Sequence, residues 1–378
     1  MSNRNIFILY ITKNSGHHMA ARSIERGIKK LDKTVNPMTV DSFRYTNPIL
    51  ERVITKTYLQ VIKNTPDIWD YLYDNKGFKD KTEYIRNMVY KFNSEKLKKL
   101  IAFKKPELVI CTQAFPCGTI SDFKRTSGID LPLVAVVTDF AAHSYWIHDN
   151  VDLYIVPTEE VKMSLIERGV YEERIKVLGI PISPYFNGNV SKQETREKLG
   201  LSADEPLVLV MGGGQGLGPI KKIVTELDKL DVPLQIAVVT GVNKLLYQNM
   251  IRRNNKTKKR VRVYGYVKNI YDLMHVSDIL VTKPGGLTTS EALAVGLPMI
   301  IINPLPGQEM KNTDYLIRQN VALVASGKKH VSTLVNELLQ DSEKLTKMKE
   351  NAFRLSKPES SLDIAKEVLK YDAQLLHI

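Results

Sequence analysis

The strongest constraint on the fold of this 378-residue chain is a pattern that occurs twice: short, unbroken, β-branched apolar runs, each followed by a turn and amphipathic helical sequence. NIFILYI (5–11), ELVIC (107–111), LPLVAVVTD (131–139) and DLYIVP (152–157) make the first series. LVLVMGG (207–213), LQIAVVTG (234–241), RVRVYGYV (260–267), DILVTKPGG (278–286) and LPMIIINP (297–304) make the second. Strands that are apolar on both faces have to be covered on both faces, and a parallel sheet between layers of helices does this. Two such series exceed one hydrophobic core, so the expectation is an α/β chain of two doubly wound, Rossmann-like domains.

Proline, asparagine and glycine near 184–189 mark the expected join, giving an N-terminal domain over 1–185 and a C-terminal domain over 186–355. A last helix over 356–378 is placed to return to the first domain. Between Arg44 and Leu100 the strand series is interrupted by helix-like sequence rich in Tyr, Lys and apolar residues. This insert over 44–100 reads either as crossover helices packed on the sheet or as an aromatic and basic face for a membrane surface.

The formal charge is +13, from 54 Lys and Arg against 41 Asp and Glu, and its sharpest run is RRNNKTKKRVR at 252–262. That run reads as a solvated helix end or as a footprint for a polyanion, nucleic acid or anionic bilayer. No stretch approaches the ~18 apolar residues of a membrane span, and MSNRNIFILYITKNSGHH is too polar after Tyr10 for a signal peptide. A cytoplasmic chain is expected. Cys111 and Cys117 read as free thiols, and no Cys/His spacing suggests zinc.

Chemistry is expected after the strands, because open parallel sheets bind ligands at the carboxyl ends of their strands. LVLVM runs into GGGQGLGP and then a helix, so Gly212, Gly213, Gly214, Gln215, Gly216 and Gly218 read as a diphosphate cradle or as a structural turn. It is not a Walker motif, since no Gly-Lys-Ser/Thr closes it. In KPGGLTTSEA, Lys283, Gly285 and Gly286 form the next strand-to-helix turn, and Thr288 enters the helix. Glu291 follows, as a carboxylate able to accept from both hydroxyls of a ribose or as a residue that complements the helix dipole. Gln308 and Glu309 in NPLPGQE suit a hydroxyl-rich ligand.

In the first domain the turn ITKNSGHHMAA holds His17, a candidate general base or a capping histidine, with Ala20 and Ala21 allowing close helix packing. TDFAAHSYWIHDN clusters Asp139, His143 and Trp146: Asp139 to orient a histidine, His143 to touch acceptor or phosphate, Trp146 as an apolar wall. A purely structural loop is the alternative. No Asp-x-Asp pair offers a divalent metal site.

In this order GHHMAA, TDFAAHSYW, GGGQGLGP, KPGGLTTSEA and NPLPGQE resemble the diacylglycerol glycosyltransferases of glycosyltransferase family 28, which include processive bacterial glucosyltransferases and monogalactosyldiacylglycerol synthases. The resemblance implies a GT-B fold, with two doubly wound domains facing across a cleft. It implies metal-independent, inverting transfer of a hexose from UDP-glucose or UDP-galactose to diacylglycerol, with no cofactor beyond the UDP-sugar donor. His17 resembles the family's base, and Asp139, His143 and Trp146 its acceptor-side loop. Gly212 to Gly218 resemble the diphosphate turn, Gly265, Tyr266 and Val267 the uracil-facing loop, Glu291 the ribose carboxylate, and Gln308 with Glu309 the sugar-reading pair.

A bilayer substrate implies a peripheral protein on the cytoplasmic face of the cell membrane, held to an anionic membrane surface by its positive charge, with no nucleic acid as partner. The competing reading on the same scaffold is a transferase with a soluble acceptor or an epimerase of UDP-N-acetylglucosamine.

Overall fold

The computed structural model describes residues 4–46, 96–188, 190–254 and 256–375. Chain contacts divide it into two units. One comprises Met1–Pro184, Leu305–Gln308 and Glu359–Ile378, the other Tyr185–Pro304 and Glu309–Pro358. The segment from residue 47 to residue 95, most of the insert expected over 44–100, lies outside the described residues.

The first unit is built on β1 (Arg4–Tyr10), β2 (Val35–Asp41), β3 (Leu108–Cys111), β4 (Leu133–Val136), β5 (Leu153–Val156) and β6 (Ile175–Val177), in the order β2-β1-β3-β4-β5-β6. Every pairing is parallel. Successive side chains of β1 go to opposite faces, as the two-residue strand period requires. Ile6, Ile8 and Tyr10 join one core with Ile24 and Ile28 of helix α1 (Gly16–Leu31), while Phe7 and Leu9 join the other with Ile120 of α2 (Ala114–Ser127), Trp146 and Tyr154. Cys111 and Cys117 are buried free thiols in this second layer.

The second unit repeats the plan with β7 (Leu207–Met211), β8 (Gln235–Val239), β9 (Arg260–Tyr264), β10 (Ile279–Thr282), β11 (Met299–Ile302) and β12 (Ala322–Ala325). The order β12-β11-β10-β7-β8-β9 is again all parallel. The helices that matter for the site are α3 (Ile220–Leu227), α4 (Lys244–Asn254), α5 (Gly286–Ala294) and α6 (Gln308–Arg318).

Three strands, β2, β6 and β12, are absent from the sequence expectation, and all three lie at sheet edges. An edge strand buries fewer side chains, so its sequence lacks the unbroken apolar run: β2 carries Pro37 and is mostly half-buried, and β6 has exposed Lys176 at its centre. The expected join is also more ordered than a linker. It holds a helix over Lys192–Lys198 whose buried Arg196 donates to the carbonyls of Val276, Ser202, Ala203 and Glu205 and pairs with Asp278 at 2.8 Å.

The last helix, α7 (Ser360–Leu375), packs on α1 and places Ile364, Ala365 and Val368 in the core beneath β1. Ser360 Oγ donates to the Ile180 carbonyl at 2.8 Å and accepts from the Ile182 N–H at 3.2 Å. The two helices meet at Gly27, where a β-carbon would collide with the Ser361 carbonyl. Gly27→Ala therefore overpacks this contact at a cost of about 1–3 kcal/mol. Thermal unfolding should show a melting temperature several degrees lower, and an unchanged value would contradict the close approach.

Candidate active site

At the end of β1 the chain turns sharply, with Thr12 and Asn14 at φ 66° and 62°. Ser15 caps α1 by accepting from the His18 N–H at 3.2 Å, and its hydroxyl lies 2.6 Å from the Thr12 carbonyl. His18 is used by the turn itself: Nδ1 accepts from the Asn14 N–H at 3.2 Å and the ring packs on Tyr10 at 4.4 Å.

His17 is held differently. Its Nδ1 lies 3.0 Å from the Thr112 carbonyl at the end of β3 and 2.9 Å from Thr138 Oγ1 just past β4. A carbonyl only accepts, so Nδ1 carries the proton and Nε2 keeps its lone pair. Thr138 can accept from the imidazole because its own hydroxyl points at the same Thr112 carbonyl, 3.4 Å away. Thr112 Oγ1 closes the network by donating to the His17 carbonyl at 2.9 Å. Burial lowers the His17 pKa to about 4 against the opposing pull of the Thr112 bond, so the ring is neutral at physiological pH.

Orientation of His17 at Nδ1 thus falls to Thr112 and Thr138, whereas the sequence reading assigned the orienting of a histidine to Asp139. Threonines at strand ends are too common to be singled out. The only trace of them is their position, as the first residues after β3 and within three residues of β4. Asp139 and His143 are both buried, and the His143 ring lies 5.8 Å from Tyr145 and 6.1 Å from Trp146, which ends a short 3-10 turn over Ser144–Trp146.

In the second unit, β7 runs into a loop that folds back on itself. Leu217 N–H bonds to the Gly212 carbonyl at 3.0 Å and Gly216 N–H to the Gly213 carbonyl at 3.1 Å. Gly213, Gly216 and Gly218 have φ of 66°, 61° and 99°, and a β-carbon on Gly212 or Gly216 would collide with the backbone of Leu217 or Thr240. Val242 N–H reaches the Gly214 carbonyl at 2.9 Å, so this loop leans on the one after β8. Gly214, Gln215 and Gly218 form an exposed rim. The following helix α3 has no side-chain cap, which leaves its first N–H groups to an anion or to water.

The next strand end has the same form. Gly285 is the N-cap of α5 and offers no side-chain cap, and Thr289 Oγ1 donates back to its carbonyl at 3.0 Å. Lys283 and Thr288 are half-buried, and Lys283 Nζ pairs with Glu309 Oε1 at 2.7 Å. Gln308 and Glu309 begin α6, and Asn312 one turn on donates to the Pro284 carbonyl at 2.9 Å, tying the two loops together. Glu291 is 8% exposed, and desolvation alone raises its pKa to about 8. Gly265, Tyr266 and Val267 follow β9, with Tyr266 42% exposed.

Gly212 to Gly218, Lys283 to Glu291 and Gln308 with Glu309 thus follow the carboxyl ends of β7, β10 and β11, three neighbouring strands. Among the described residues no group of three or more His, Cys, Asp or Glu is placed to hold a metal ion, and no helix is long and apolar enough to cross a membrane.

Residues 17–182 match the model of monogalactosyldiacylglycerol (MGDG) synthase, and residues 207–368 match the glycosyltransferase family 28 C-terminal domain. A processive diacylglycerol beta-glucosyltransferase of Bacillus pumilus is 31% identical over 376 residues, covering 98% of this chain and 95% of the relative. The chain belongs to the diacylglycerol glycosyltransferase family. Its fold is the two-domain α/β GT-B arrangement. MurG from Acinetobacter baumannii superposes with a TM-score of 0.63 at 13% identity, covering 97% of this chain and 99% of MurG. UDP-GlcNAc 2-epimerase from Neisseria meningitidis bound to UDP-GlcNAc gives 0.60 at 14%, covering 97% and 100%.

The Glu291 environment makes a pH-dependent prediction. Its pKa is higher folded than unfolded, so the folded chain binds more protons between about pH 4.5 and 8, and ionising Glu291 destabilises this diacylglycerol glycosyltransferase as pH rises through that window. Glu291→Gln removes the ionisation. The melting temperature of the variant relative to the parent should rise from pH 5 to pH 8 and then level off, while a difference independent of pH would contradict the burial.

Proposed function

We propose that this protein transfers a hexose, glucose or galactose, from a UDP-sugar to the hydroxyl of diacylglycerol with inversion, forming a β-glycosyldiacylglycerol. One observation carries the mechanism: His17 is a neutral imidazole whose Nδ1 proton is committed to Thr112 and Thr138, which leaves Nε2 as the base. Nε2 takes the acceptor's hydroxyl proton as that oxygen bonds to the anomeric carbon, and the bond from this carbon to the diphosphate oxygen breaks. UDP departs as an anion. Attack opposite UDP converts an α-linked donor into a β-product, and the UDP-sugar is the only co-substrate the scheme uses.

The second unit holds the donor in this reading. Gly212, Gly213, Gly214, Gln215, Gly216 and Gly218, with the uncapped start of α3, receive the diphosphate and its growing charge. Gly265, Tyr266 and Val267 face the uracil, and Lys283, Gly285, Gly286 and Thr288 line the turn beside it. Glu291 accepts from the ribose hydroxyls. Gln308 and Glu309 read the hexose, with Glu309 steadied by Lys283. On the first unit, Asp139, His143 and Trp146 face the acceptor.

The acceptor lies in a bilayer, so the protein works as a peripheral protein on the cytoplasmic face of an anionic membrane. The net charge of +13 supports this, as does Phe103, 78% exposed beside Lys104 and Lys105.

Incubation of the purified protein with diacylglycerol and each UDP-hexose in turn, with the lipid product identified, tests the activity. His17→Ala should lower turnover at least about 100-fold with UDP affinity unchanged. Because His17 protonates only as pH falls through about 4, the acid limb of kcat at saturating UDP-sugar should lie below pH 5. Thr138→Val, which removes one of the two Nδ1 contacts, should lower turnover by about tenfold. An unchanged rate for His17→Ala, or an acid limb near the ordinary histidine pKa of about 6.5, would remove His17 from the role.

A further inference from the structure

From Val232 to Tyr271 the chain has nine Lys or Arg and no Asp or Glu. The structure gathers much of this stretch at one side of the second unit: α4, the loop after it, and β9, which is the edge strand of its sheet. The loop is a built feature. Asp228 Oδ1 accepts the backbone N–H groups of both Lys258 and Lys259, at 2.8 and 2.9 Å, and Lys259 Nζ donates to the Val232 carbonyl at 2.6 Å. Apart from Asp228, no acidic side chain is bonded to this region among the described residues. Lys244, Arg252, Lys256, Lys258 and Arg260 are all exposed and enter no ion pair among the described residues.

Helix α4 adds an apolar component to the same side. Leu245 is 69% exposed, Ile251 42% and Tyr247 39%. At 100° per residue, Lys244, Tyr247, Gln248 and Ile251 share one face, and Leu245 lies along the same stripe as Arg252, one heptad later. The inner side of α4 is anchored by Met250, which is buried in the core. The helix therefore presents apolar and cationic side chains together at the surface.

We infer that α4, the 256–259 loop and Arg260 form a docking face for the surface of an anionic phospholipid bilayer, a second foothold carried by the donor-binding unit. The inference rests on the reading that the acceptor is a bilayer lipid. Cations gather at an anionic surface, and exposed Leu, Ile and Tyr beside them enter the boundary between headgroups and acyl chains. A nucleic-acid backbone would match the charge but gives Leu245 and Ile251 nothing to bury against.

Co-sedimentation of the full chain with phosphatidylcholine vesicles containing increasing phosphatidylglycerol tests this, using two variants, R252Q/K256Q/K258Q and L245S/I251S. The first should lower partitioning onto anionic vesicles about 100-fold, from roughly fivefold per cation. The second should lower it several-fold while keeping the salt dependence of the parent. Both should glycosylate a short-chain diacylglycerol in detergent micelles at the parental rate, which shows that they fold.

Partitioning of both variants within twofold of the parent would overturn the inference. So would loss of DNA retention by the first variant with vesicle binding unchanged, which would assign the face to nucleic acid. Failure of the parent to make any glycolipid would sink the proposed activity instead, and the vesicle measurement reads the face independently of it.

Discussion

Parallel strands can be joined only by connections that return across the sheet, so all their carboxyl ends open on one edge. Both sheets of this protein obey that constraint without an antiparallel exception, and every residue assigned a chemical role follows from it. His17 comes after β1, Thr112 after β3 and Thr138 after β4, and three separate stretches of chain thereby meet at one imidazole nitrogen. In the second unit the glycine turn, the Glu291 helix and Glu309 follow β7, β10 and β11, which are adjacent in the sheet although far apart in sequence. Burial of the central strands on both faces holds these loop ends in register.

The two units use their turns for different electrostatic tasks. At His17 a polar network fixes a tautomer and desolvation keeps the ring neutral, which leaves Nε2 with its lone pair and no charge on the ring. Around Gly212 to Gly218 and Gly285 the sequence withholds side chains, so backbone N–H groups at uncapped helix starts are the available donors. Glu291 is the exception there, a buried carboxyl group whose desolvation favours its neutral form in the free protein. A buried group with a strongly displaced pKa at a strand end is the kind of feature that ligand sites accumulate.

Central strands were legible in the sequence because residues buried on both faces must be apolar throughout, as in LVIC, LVLVM and MIII. Edge strands β2, β6 and β12 were not, since water or a single neighbour satisfies one side of each. Glycine turns and the His17 turn could be read from residue type alone. The Thr112–Thr138 network could not, because it depends on the spatial adjacency of β1, β3 and β4, which no local pattern encodes. The structured join was hidden for a similar reason: Arg196 looks like a surface cation until Val276 and Asp278, about 80 residues later, surround it. Likewise, Gly27 is an ordinary helical glycine until α7 arrives on top of it.

On the proposed reading, the turn after β7, together with the start of α5, binds the nucleotide diphosphate of the donor. Amide hydrogen exchange of the intact protein, followed with and without saturating UDP, tests it most directly. Exchange should slow at residues 213–223 and 285–292, with Glu291→Gln weakening the effect at the second segment. UDP binding that leaves both segments unprotected, or protects a different set of loops, would contradict it.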